Sequence, residues 1–260
     1  MKTVPELIAQ WRNKEISGTA LMRGLVSFDK WNIPVSEDAV GAMLASNSNP
    51  SLQLFTDKDG NNCLLIFSSG EALGAYRKSV SASGSQHYFT TDGAWIFGVP
   101  MDKIDRLWID PGTPDDIFYV KDQFKSLHEM VEAVRVEETL IGLRKGAGPK
   151  DAIQRARSYK NYYLPVTMRN DKPAFIMAPD EQGRSLAAAF TADDTFDAFS
   201  PEAQRMADGG PVQQMQIDGA ALFDTFQRMN IDGFVFNCSG PVPPVAFQQA
   251  AAGIILEGQD

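Results

Sequence analysis

Short apolar runs, each bounded by Gly, Pro, Asn or Asp, alternate along the chain with stretches whose apolar residues fall three and four apart. That alternation predicts strands separated by helices. In the first half it places strands near 33–36, 52–56, 63–67, 86–90, 106–109 and 117–120, with helices near 37–45, 70–78, 92–101 and 121–131. In the second half it places strands near 163–168, 173–178, 185–190, 211–216, 233–236 and 243–246, with helices near 193–199, 218–229 and 247–253. The runs "RLWI" and "GFVF" are apolar without alternation, as expected of central strands covered on both faces. Residues 132–160 read as helical, broken where "GAGP" (146–149) stops a helix. Val4, Leu7, Ile8 and Trp11, then Ala20, Leu21 and Leu25, predict a helical lead-in that packs on the first half or docks on another molecule.

The two halves repeat each other. "WNIPVS" (31–36) parallels "YYLPVT" (162–167), and "LLIFSSGEALGAY" (64–76) parallels "AAAFTADDTFDAF" (187–199) at an offset of 123. "DGAWIF" (92–97) parallels "DGAALF" (218–223) at 126, and "IDRLWIDPG" (104–112) parallels "IDGFVFNCS" (231–239) at 127. Four collinear pairs point to an internal duplication. The expected fold class is α/β: two tandem, duplicated domains, each with a mixed sheet flanked by helices, plus an N-terminal helical segment. The boundaries read as a lead-in over 1–30, a repeat over 31–131, a helical linker over 132–160 and a second repeat over 161–260. Ser68 and Glu71 fit a capping box at the helix following the strand, and Thr191 and Asp194 a weaker one.

Composition narrows the function classes. A chain of 260 residues, 43% hydrophobic and 22% charged, suits a folded protein of one or two domains. It has no apolar run long enough to cross a bilayer, and "MKTVPELIAQW" does not read as a signal peptide. The expected setting is therefore cytoplasmic and off the membrane, although export without a cleaved signal fits equally. Two cysteines build no disulfide framework. A net charge of −9 argues against nucleic acid as a partner. The charge runs −4 over 1–131, +3 over 132–160 and −8 over 161–260, so the acidic end either steers a basic partner or is a solvated surface.

The quoted segments resemble the SseB-type N-terminal domain, a family named for enhanced serine sensitivity and often labelled type III secretion. Phe190, Phe199, Gly219, Leu222, Asp232, Gly233, Phe234 and Asn237 fall where that pattern wants them, which makes the second half the closer match. There the usual Asn-Pro is replaced by Asn237-Cys238; the first half keeps Pro111 and Gly112 but has Asp110 for Asn. The opening "LIAQWRNKEISGTALMRGLVSFDKWNIPVS" also resembles helical lead-ins of such proteins. The resemblance implies small α/β domains with no agreed catalytic residues, acting as binding or accessory modules, with a secretion component among the partners it suggests.

Motif chemistry is sparse. Cys238 at a strand end has a nucleophile's position, but the two histidines, His87 and His128, lie in the other half, and the matching position there is Pro111. A cysteine-dependent hydrolase or transferase is thus the minor alternative to a non-enzyme. No metal-ligand spacing is present, and "DKDGNN" (57–62) reads as a hairpin turn, since a calcium loop would need Glu where Ser68 stands. No phosphate-binding or cofactor motif occurs, so no cofactor and no metal are expected, and "LRKGAGPK" (143–150) reads as linker. The remaining candidates are two matching loops at strand ends. Asp110, Pro111 and Gly112 in one, and Asn237, Cys238, Ser239 and Gly240 in the other, are expected to hold a protein partner or to be tight turns. An alternative partner is a basic toxic effector that the protein neutralises.

Overall fold

A computed structural model describes residues 2–36, 52–79, 87–169, 172–179, 183–207, 210–229 and 231–248. The chain divides into two compact units, 1–131 and 132–260. Unit one opens with α1 (Val4–Arg12) and α2 (Gly18–Val26). Thr3 starts α1 with a capping box: its hydroxyl accepts from the Glu6 N–H, and the Glu6 carboxylate accepts from the Thr3 N–H at 2.7 Å. Val4 and Ile8, one turn apart, are buried, as are Leu21, Leu25 and Val26 of α2. The lead-in therefore packs within unit one.

The rest of unit one is β1 (Trp31–Pro34), β2 (Leu54–Thr56), β3 (Asn62–Ile66), α3 (Gly70–Ser79), β4 (Tyr88–Thr91), α4 (Gly93–Ile96), β5 (Arg106–Ile109) and β6 (Ile117–Val120). β1 pairs antiparallel with β4. The other strands form a mixed sheet ordered β2-β3-β5-β6, in which β3 and β5 run parallel and the outer pairs antiparallel. A parallel pair needs a crossover, and α3, β4 and α4 supply it. A bridge between Asn32 and Phe67 joins β1 to the end of β3.

Helix α5 (Phe124–Arg144) has residues in both units; Gly146, at φ 88°, follows its end, and Pro149 opens α6 (Pro149–Ser158). Unit two continues with β7 (Tyr162–Arg169), β8 (Lys172–Phe175), β9 (Met177–Pro179), β10 (Ser185–Ala189), α7 (Asp193–Met206), β11 (Val212–Ile217), α8 (Gly219–Arg228), β12 (Gly233–Phe236) and β13 (Val245–Gln248). Its connections follow the order of unit one. β7 pairs with β11, the second sheet runs β13-β12-β10-β9 with β10 parallel to β12, and a bridge links Tyr163 to Phe190. Among the described residues, β8, beside β7, has no counterpart in unit one.

The matching extends into the helices read from sequence as lead-in and linker. The Gly93 N–H donates to the Phe28 carbonyl, and a Cβ at Gly93 would stand 2.3 Å from the Leu25 carbonyl oxygen. The Gly219 N–H donates to the Tyr159 carbonyl, and a Cβ there would stand 2.2 Å from the Ala156 carbonyl oxygen. Only glycine lets the start of α4 or α8 approach the end of α2 or α6 so closely. Asp92 and Asp218 cap those two helices, accepting from the Trp95 and Ala221 N–H groups at 2.7 and 2.9 Å. Trp31 Nε1 donates to the Leu25 carbonyl, and the Tyr162 hydroxyl to the Ala156 carbonyl. So α2 and α6 hold equivalent places, each inside its own unit.

Four expected elements differ. The helix over 92–101 is one turn, Gly93–Ile96; the strand over 173–178 breaks into β8 and β9; and the helix over 193–199 runs on to Met206. Residues 247 and 248 belong to β13 rather than to a helix, because Val245 and Phe247 are buried and Ala246 is exposed, the two-residue period of a strand. The remainder of that expected helix, and the helix over 37–45, lie outside the described residues.

Candidate functional site: two strand-end loops

In both units the parallel strand pair is pinned at its two ends by side chains from the "ID" motif. Asp105, just before β5, accepts from the Asn62 N–H at 2.9 Å, and Asp232, just before β12, from the Ser185 N–H at 3.0 Å. Five residues later the chain leaves the strand through Asp110 (φ 48°) or Asn237 (φ 50°), in the left-handed region that Asp and Asn tolerate best after glycine.

Asp110 is 1% exposed, and its N–H donates to the Ile66 carbonyl. One carboxylate oxygen accepts from the Ser68 N–H at 2.7 Å, the other from the Ser68 hydroxyl at 2.5 Å. Burial pushes this carboxyl above its ordinary range, the two Ser68 bonds pull it back, and the Asp115 charge adds to the rise. Asn237 is 2% exposed and its N–H donates to the Ala189 carbonyl. Its Oδ1 accepts from the Thr191 N–H at 3.1 Å, and its Nδ2 donates to the Thr191 hydroxyl at 3.0 Å. The Thr191 hydroxyl in turn donates to the buried carboxylate of Glu137 on α5.

Ser68 and Thr191 are therefore strand-end partners and not helix caps. Ser69 caps α3, accepting from the Ala72 N–H at 3.1 Å. At α7 the Thr195 hydroxyl folds back onto Ala192, donating to its carbonyl at 2.7 Å.

The candidate residues separate by burial. Asp110, Pro111 and Asn237 are buried, Cys238 and Ser239 partly so, and Gly112 and Gly240 are exposed. A partner meeting these loops touches the stretch from Gly112 onward and from Ser239 onward, with the Asp and Asn beneath it. The loop after Asp110 is stiff: Thr113 N–H and hydroxyl both donate to the Asp110 carbonyl, and Trp108 Nε1 donates to Asp116 at 3.3 Å. Arg12, the last residue of α1, donates to the Pro114 and Asp116 carbonyls, each at 2.7 Å. Only its place at a helix end hinted at this in the sequence. In unit two, a Cβ at Gly240 (φ 104°) would lie 3.0 Å from Ala198 Cβ, so the loop lies down on α7.

Cys238 packs against the unit-two core with Val235, Phe196 and Phe199. Burial, with the Glu202 charge in the same sense, pushes its thiol up to about 12, so it stays protonated at neutral pH. Cys63 is also raised, first by burial and then by Asp57. Both His128 ring nitrogens sit at carbonyls, Phe124 at 2.9 Å and Val99 at 3.2 Å. Asp57 closes the 57–62 turn by accepting from the Asp59 and Asn61 N–H groups, and pairs with Arg106 at 2.8 Å. Among the described residues no group of His, Cys, Asp and Glu is arranged to hold a metal ion, and no helix is long and apolar enough to cross a membrane.

Residues 6–122 match the family described as SseB protein N-terminal domain. The match lies in unit one, takes in most of the helical lead-in, and so reverses the expectation that the second half is the closer. No curated protein matches the chain by sequence. Among solved structures, Anabaena Tic22 (protein transport) is similar over 83% of this chain and 88% of its own, at 9% identity and a TM-score of 0.21.

Proposed function

We propose that this protein, whose first unit carries an SseB-type N-terminal domain, is a non-enzymatic accessory protein that binds a protein partner through its strand-end loops. What supports the reading is the construction of those loops. Each is seated on a buried Asp or Asn, and the first is also held by Arg12, so docking there orders little that is not already ordered. In this reading the protein acts in the cytoplasm, in the secretion or stress setting that the resemblance to SseB-type proteins implies. The chain's two units are read as duplicated copies of one domain, on the strength of their common strand order and the paired glycine contacts.

The neutraliser reading rested on an acidic C-terminal part. Unit two as folded includes the basic stretch 132–160, so its net charge is −5 against −4 for unit one. The two units are thus nearly alike in charge, which favours the general accessory reading. A pull-down from the native host with wild type and a P114R/P241R variant tests it. A partner held by wild type and lost by the folded variant supports the loops. Equal recovery by both would move binding elsewhere, and no recovered partner would remove the binding reading.

A further inference from the structure

Every Asp-Gly pair carries one intrinsic reaction: the glycine nitrogen can attack the aspartate side-chain carboxyl, because no Cβ stands in the way. Of the four such pairs among the described residues, three are held. Asp92 and Asp218 accept from the Trp95 and Ala221 N–H groups, while the N–H groups of buried Gly93 and Gly219 each donate to a carbonyl at 2.7 Å. Asp232 accepts from the Ser185 N–H, and Gly233 is buried at the start of β12. The fourth pair, Asp59–Gly60, lies in the exposed turn between β2 and β3. The Asp59 side chain is 57% exposed, and its carboxylate stands 3.9 Å from the Arg106 guanidinium. Gly60, at φ 84°, has open space where a Cβ would be, and its N–H donates only within the turn, to the Asp57 carbonyl at 3.0 Å.

We propose that Asp59 is a modification site, converted to isoaspartate without an enzyme. The Gly60 nitrogen gives up its proton and bonds to the Asp59 side-chain carbon, one carbon–oxygen bond breaks, and a water leaves, closing a five-membered succinimide. Water then adds back. Entry at the side-chain carbonyl returns aspartate; entry at the main-chain carbonyl leaves the backbone running through the former side chain, one methylene longer. Nothing is oxidised or reduced, and the net composition is unchanged. At the three held pairs the same closure first requires local opening of a helix start or of the sheet. The product changes the hairpin, because Asp57 closes this turn by accepting from the Asp59 and Asn61 N–H groups, each at 2.9 Å, and also pairs with Arg106 of β5. An added methylene between those two donors disrupts the turn and loosens the end of the β2–β3 hairpin.

Ageing the full chain tests the proposal. The folded protein is held for weeks in warm, mildly acidic buffer made with heavy-oxygen water, then digested, and its peptides are separated and fragmented by electron transfer in a mass spectrometer. Isoaspartate carrying one heavy oxygen is expected at position 59 at least about tenfold faster than at 92, 218 or 232, and in urea the four rates should converge. D59E, which would have to close a six-membered ring, should lose the modification at this turn while keeping the fluorescence midpoint of fresh wild type. An Asp59 that stays unmodified in the folded chain, a held pair that reacts as fast as Asp59, or a rate at 59 that urea raises as much as it raises the other three overturns the proposal.

Discussion

Exchanging the two strand-end residues tests whether they are structural pins. In D110N the amide keeps an acceptor for the Ser68 N–H and gains a donor for the Ser68 hydroxyl, the arrangement Asn237 already makes with Thr191. It also removes a buried charge whose carboxyl is pushed up mainly by burial. D110N is therefore expected to fall within about 1 kcal/mol of wild type, on the stabilising side. N237D is the opposite case. It loses the bond from Nδ2 to the Thr191 hydroxyl, about 1 kcal/mol, and sets a second carboxylate across one hydroxyl proton from buried Glu137. An uncompensated buried charge costs about 3 kcal/mol or more, so unit two should lose about 4 kcal/mol at pH 7. The introduced carboxyl has a folded-state pKa above its unfolded value, so this deficit grows as pH rises and shrinks on acidification. All four tryptophans, at 11, 31, 95 and 108, lie in unit one. In urea titrations fluorescence thus follows unit one alone, while far-UV circular dichroism follows both. N237D should leave the fluorescence midpoint in place and lower the dichroism midpoint. An N237D protein as stable as wild type at pH 7 would refute the clamp, as would a D110N protein several kcal/mol less stable.

Asp110 itself carries the same sign: its contribution to stability is greatest in acid and is lost as pH rises through its raised folded value, so D110N should flatten the fluorescence-detected pH profile just above the ordinary carboxylate range. G93A, whose Cβ would meet the Leu25 carbonyl, should lower the unit-one midpoint by about 2–3 kcal/mol, whereas G74A, with open space at a helix position, should be neutral or stabilising in the same titration. Cys238 should react with iodoacetamide at neutral pH at least about a hundredfold more slowly than in urea; a rapid native reaction, read by mass spectrometry, would revive the nucleophile reading. R12A frees two carbonyls of the 110–116 loop and should speed proteolysis there, with the fluorescence midpoint moving by less than about 2 kcal/mol.

The central strands were legible because "RLWI" and "GFVF" are apolar on both faces, and β5 and β12 fall where those runs predict them. The equivalence of α2 and α6 was not. "LMRGLVSF" and "AIQRARSY" share little, because Gly93 and Gly219 rest on the carbonyl oxygens of Leu25 and Ala156. A contact made to backbone leaves no constraint on the side chains of the receiving helix, so its only trace in the sequence is the paired glycine on the other side. Glu137 was hidden for a related reason. A carboxylate on a charged helix reads as solvated, and only the fold brings the Thr191 hydroxyl to it. For the loops, position was readable but depth was not: φ near 50° and two bonds to Ser68 or Thr191, just past the end of the parallel partner strand, turn Asp110 and Asn237 inward, beneath the surface they were expected to form.

The pinning of both parallel strand pairs by an acid at one end and an Asp or Asn at the other bears on how function is assigned among proteins built this way. Asp105, Asp110, Asp232 and Asn237 bolt the sheet together, so losing function on their substitution would report a loosened fold before it reported a lost contact. Positions whose counterparts differ and that make no such bond, such as Phe118 against Ala246, are under no such constraint.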